Sequence, residues 1–84
     1  MTIDLLVEAI HYFNYLFHLA EHTEDHLVKV HFRQKKNELQ LELLERFPDE
    51  VVLQDDETEG MVLITIRNFK KNACHFPKDL LPMD

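Results

Sequence analysis

HLVKVHFRQKKNELQLELLERF (residues 26–47) supports two architectures, depending on the period assigned to its apolar residues. From His26 to Gln34, Val28, Val30 and Phe32 fall on one side and Lys29, His31 and Arg33 on the other. That alternation is the period-2 pattern of a half-buried strand. Gln34-Lys35-Lys36-Asn37 then reads as a turn, with Asn37 tolerant of the left-handed region. From Glu38 to Phe47, Leu39, Leu41 and Leu43 alternate with Glu38, Gln40 and Glu42, as in the second strand of a hairpin. The same residues also suit a helix. Leu, Glu and Gln are good helix formers, Asn37 to Gln40 resembles a capping box, and Glu42 to Arg46 is an i,i+4 ion pair. Pro48 stops either element. Strand is the expectation and helix the alternative.

Upstream, Ile3 to Glu21 (IDLLVEAIHYFNYLFHLAE) is a long amphipathic helix without Gly or Pro. Thr2 is its candidate N-cap, and Asp4 opposes the positive end of the helix dipole. On a helical wheel Leu5, Leu6, Ala9, Ile10, Phe13, Leu16, Phe17 and Ala20 share one side, with Tyr12 and Leu19 at its edge. This arc spans roughly 200°, about twice what a single core requires. The surplus either leaves a few aromatic edges exposed around one intramolecular core, or is covered by the chain's own C-terminal segment or by another chain. Tyr12, Phe13, Tyr15 and Phe17 are the expected anchors of such an interface.

Downstream, Val51 to Gln54 is a short strand and residues 55–60 are an acidic loop holding the only glycine. Met61 to Phe69 is the strongest strand, with Val62, Ile64 and Ile66 on one face. Met61 and Leu63 make the other face partly apolar, as in a central strand. Beyond it the pattern dissolves, and residues 70–84 read as an extended C-terminal tail dotted with apolar residues. We expect one α+β domain over residues 1–84: a long N-terminal helix on a three- or four-stranded antiparallel sheet. The expected order is αββββ, with αβαββ as the alternative.

The chain has 84 residues, a formal net charge of −7, 45% hydrophobic and 30% charged residues. Such a composition folds. Its acidity argues against direct binding to nucleic acid or an anionic membrane, and for a protein partner with a basic surface. Nine acids lie between Glu38 and Glu59 against Arg46 alone. Asp55, Asp56, Glu57 and Glu59 head the expected acidic contact surface. No apolar run is long enough to span a bilayer and no signal-peptide pattern opens the chain, so a cytoplasmic location is expected.

Little in the sequence points to catalytic chemistry. There is no phosphate-binding glycine loop, and no serine for a nucleophile elbow. The single cysteine, Cys74, precludes an internal disulfide, and its neighbour His75 is poorly placed by adjacency to act as its base. His18-Leu19-Ala20-Glu21-His22 matches H-x-x-E-H, in which two helical histidines hold zinc. His18 and His22, with His26 as a third ligand, are therefore a candidate zinc site, although a solvated helix face explains them as simply. No other cofactor is implied. The expected function is a small acidic protein-interaction module without catalytic activity: an adaptor, a chaperone-like subunit or an inhibitor, including an acidic decoy of nucleic acid. A metal-binding protein and a structural homodimer are the alternatives.

Overall fold

The computed structural model describes residues 1–55, 60–68 and 71–82. Its first helix, α1, spans Ile3–Ala20, with the Leu5 N–H donating to Thr2 Oγ1 at 3.3 Å. The second, α2, spans His26–Arg46 and replaces the expected hairpin. The strand readings of His26–Gln34 and Glu38–Phe47, and the turn at Gln34–Asn37, are overturned. Asp25 caps this helix, accepting from the Leu27 and Val28 N–H groups at 3.1 and 3.3 Å. The buried positions explain the misreading. They are Lys36, Gln40 and Leu43, spaced by four and three residues as on one helix face. Two of the three are polar, so the face that meets the core does not look apolar in sequence. Glu42 and Arg46 do pair, at 3.1 Å.

Three strands follow: β1, Val51–Asp55; β2, Met61–Ile66; and β3, Asn72–Pro77. They form an antiparallel sheet in the order β1-β2-β3. A short 3₁₀ turn, Lys78–Leu80, ends the described chain's regular structure. The fold is thus α+β in the order ααβββ, not αββββ or αβαββ. β3 lies inside the segment read as an extended tail. In the central β2, Val62, Ile64 and Ile66 are buried, as their alternation requires. Gly60, at φ +83°, turns the chain into β2, and its carbonyl accepts from the Lys78 N–H at 2.9 Å. Asn68, at φ +62°, serves the connection from β2 to β3.

The contiguous core joins Leu6, Val7 and Ile10 of α1 and Leu43 of α2 to Val62, Ile64, Ile66, Ala73, Cys74 and Phe76 of the sheet. No residue between Ile10 and Lys36 belongs to it. Helices of 18 and 21 residues run about 27 and 32 Å, whereas strands of this length run about 17–20 Å. The outer ends of the two helices therefore form an arm. There they pack on each other, with the Phe13 and Phe32 rings 6.4 Å apart and Lys29 Nζ 5.5 Å from the Phe17 ring centre.

Candidate functional site

Two features stand apart from ordinary core and surface: a cleft at Cys74 lined by both polar and apolar residues, and an apolar groove on the arm.

The cleft begins with an irregularity in the sheet. Leu63 pairs with His75 and Thr65 with Asn72, so Ala73 and Cys74 together stand opposite Ile64. This β-bulge places Cys74 at φ +66°, a left-handed conformation that costs a non-glycine residue roughly 1–2 kcal/mol. Two side chains hold the bulge. Asn72 Oδ1 accepts from the Cys74 N–H at 3.0 Å. From α2, the fully buried Gln40 donates through Nε2 to the carbonyls of Ala73 and His75, at 2.8 and 3.0 Å. Its Oε1 is buried without a hydrogen-bond partner among the described residues.

Facing the bulge from α1 is His11. Its Nε2 lies 2.7 Å from the Asn72 carbonyl oxygen, and its Nδ1 lies 3.6 Å from Cys74 Sγ. A carbonyl can only accept, so Nε2 carries the hydrogen; in the neutral ring Nδ1 then presents its lone pair to the thiol. This is the geometry of a nucleophile, a base and an orienting acceptor. Lys36 completes the set from α2. It is only 9% exposed, and among the described residues no hydrogen bond or ion pair engages it. His11, Lys36 and Cys74 line one cleft of about 440 Å³, together with Phe17, Met61 and Leu63.

Burial lowers the Lys36 pKa below the ordinary lysine value, with the nearby Cys74 pulling the other way. Burial likewise raises the Cys74 thiol, opposed by the Lys36 charge. These shifts make stability depend on pH. At pH below the depressed Lys36 value, folded and unfolded chains both hold the proton, and the full cost of burying the ammonium stands. The cost is relieved as pH rises from that depressed value towards 10.5. Cys74 acts oppositely: its contribution is intact below 9.0 and is lost as pH rises through its raised folded value. Lys36→Met is therefore expected to stabilise the fold near neutral pH by about 1 kcal/mol, raising Tm by about 4–8 °C. The gain should shrink in melts at alkaline pH.

The groove is of another kind. Leu16, Leu19, Ala20 and Thr23 face Val28 and Phe32 across it. Leu19 is 52% and Leu27 82% exposed. Of the expected aromatic anchors, Tyr12 and Tyr15 are exposed, while Phe13 and Phe17 are half-buried in the contacts between helices and cleft. The wide apolar arc of α1 is thus only partly covered.

His18 and His22 share the lining of one surface pocket with Tyr15 and Leu19. His18 Nδ1 meets Glu21 Oε1 at 3.0 Å, His22 lies in the exposed link between the helices, and His26 opens α2. Among the described residues no three His, Cys, Asp or Glu are gathered as a metal site, so His18, His22 and His26 are not brought together as one. Asp55 pairs with Lys78 at 2.9 Å. Asp56, Glu57 and Glu59 lie outside the described residues. No described helix is long and apolar enough to cross a membrane.

Adjacency in sequence offers His75 as the partner of Cys74. The partner in space is His11, 63 residues away, on a helix face that reads as polar and solvated. Its neighbours three residues away on the helix are Glu8 and Asn14, so nothing in the sequence marks it as facing the sheet. No family model, curated protein or solved structure matches this chain.

Proposed function

We propose that this chain is a protein-interaction module rather than an enzyme, and that its docking surface is the groove on the helical arm. The observation that carries this reading is a groove lined by Leu16, Leu19, Ala20, Val28 and Phe32, with Leu27 largely bare beside it. Two packed helices leave such a groove for a third, and partner helices commonly fill one with residues at i, i+3, i+4 and i+7. The net charge of −7 favours a partner helix whose apolar stripe is flanked by Lys and Arg. A second copy would bring like charge to like. The acids around Asp55, Asp56, Glu57 and Glu59 would add long-range attraction to the same basic partner, so its affinity should fall with salt.

The test is a photo-crosslinking residue at position 19 in the native cell, followed by mapping of the attached peptide. A basic amphipathic helix from one protein supports the reading. Leu27→Asp and Val28→Asp should each weaken that complex by about 30-fold or more, as loss of a well-buried anchor does. They should leave Tm nearly unchanged, because both side chains are exposed in the chain alone. Crosslinks only to the chain itself, with a dimer in sedimentation, would replace the reading with a homodimer.

A further inference from the structure

The cleft at Cys74 shares no lining residue with the docking groove. We propose that the cleft is a covalent capture site for a small anion bearing an electrophilic carbon, with Cys74 as nucleophile, His11 as its base and Lys36 as the anion's counter-charge.

Three observations converge. First, His11 is held by the Asn72 carbonyl at 2.7 Å so that its Nδ1 faces Cys74 Sγ at 3.6 Å. A histidine serving only to fill space needs no second polar contact on the thiol. Second, Cys74 occupies a left-handed bulge position fixed by Asn72 and Gln40. Strained non-glycine backbone held from both sides is common where a side chain must be aimed. Third, Lys36 is nine-tenths buried in the same cleft, and no carboxylate pairs with it among the described residues. A lysine so placed loses part of its hydration without an ion pair in return, and a bound anion supplies the missing partner. Phe17, Met61 and Leu63 give the cleft an apolar side that suits a short carbon chain.

The step balances without another reactant. As Sγ bonds to the electrophilic carbon, the thiol proton passes to His11 Nδ1. For a carbonyl compound, the C=O electron pair moves to oxygen, which then takes the proton from His11 and leaves a hemithioacetal. For an alkyl halide, the electron pair leaves with the halide and His11 passes its proton to solvent. In both, Lys36 holds the carboxylate or other anionic group of the electrophile.

Iodoacetate and iodoacetamide probe this directly, because they differ in charge at similar size. The full chain is treated with each near neutral pH and the adduct followed by mass; Cys74 is the sole cysteine, so one adduct reports one site. The same chain in urea is the reference. Cys74 is only 7% exposed and burial raises its thiol, so the proposal requires base assistance from His11 to outweigh both: the native chain should react with iodoacetate about tenfold or more faster than the unfolded one. It should also prefer iodoacetate over iodoacetamide more strongly than the unfolded chain does. His11→Gln, which keeps a donor for the Asn72 carbonyl but removes the base, should slow both reagents about tenfold. Lys36→Met should slow iodoacetate more than iodoacetamide: both lose the charge that favours the Cys74 thiolate, and only the anionic reagent also loses its counter-charge. Circular dichroism of each variant confirms that it is folded. Slower reaction of both reagents in the native chain than in urea would make Cys74 a buried structural thiol and overturn the proposal. An iodoacetate preference that survives Lys36→Met would overturn the anion site.

Discussion

Gln40→Glu is expected to cost about 3 kcal/mol of stability and to lower Tm by roughly 12–24 °C. The substitution keeps the shape of the side chain and changes only what it can donate. Gln40 is fully buried, and its amide is the shared donor to the carbonyls of Ala73 and His75. A carboxylate in its place has no hydrogen to give, and its charge would face two carbonyl oxygens away from water. A protonated carboxyl could serve one carbonyl and leave the other unmet. Each outcome leaves buried polar atoms unsatisfied, at about 1–3 kcal/mol apiece. Gln40→Met should do less harm, because it also removes the unpartnered Oε1. Urea unfolding monitored by far-ultraviolet circular dichroism separates the two: the midpoint should fall for both and fall further for the glutamate. The two carbonyls flank Cys74, so the same change should also slow its alkylation. That loss should persist at temperatures where the variant is still folded.

Phe76→Ala should be at least as damaging, at about 3–5 kcal/mol. Phe76 is the largest fully buried side chain among the described residues and sits in β3 within the core cluster. Removing its ring forfeits the transfer energy and leaves a cavity between α1, α2 and the sheet. A domain of this length has about 4–13 kcal/mol in total, so the variant would stand near the edge of folding at 37 °C. Phe76→Leu fills most of the space and should lose about 1–1.5 kcal/mol. A thermal melt of the three proteins checks the order. An alanine variant as stable as the parent would mean that the ring is not in the core.

Gln40 and Phe76 both lie in elements that the sequence disguises, for one physical reason. α1 is legible because its core side carries Leu6, Val7 and Ile10 at helical spacing behind a capping threonine. β2 is legible because Val62, Ile64 and Ile66 alternate on a central strand. In α2 the inward positions are Lys36, Gln40 and Leu43, and the leucines on either side happen to alternate with charged residues. Periodicity reports hydrophobicity, so a helix that turns an amide and an ammonium inward is mistaken for a hairpin. β3 is hidden likewise: the bulge breaks its alternation, so Asn-Ala-Cys-His-Phe-Pro does not scan as a strand. The candidate chemistry is half visible. Cys74 and His11 can each be noted, but only the packing of α1 on the sheet brings them within 3.6 Å. Lys36 gives no signal at all, because its neighbours make it look like part of an exposed turn.

One consequence of the bulge concerns insertions and deletions. Asn72 pairs with Thr65 and His75 with Leu63, so Ala73 alone would suffice opposite Ile64. Without Cys74, the run Asn-Ala-His-Phe would alternate out, in, out, in, and every other pairing could stand as it is. Cys74 is thus the supernumerary residue of the strand, equivalent to a single inserted codon. Sheet geometry does not call for it, and the backbone is bent to accommodate it. A chain shortened by that one residue would keep the Phe76 anchor and regularise its edge strand, while surrendering its only thiol.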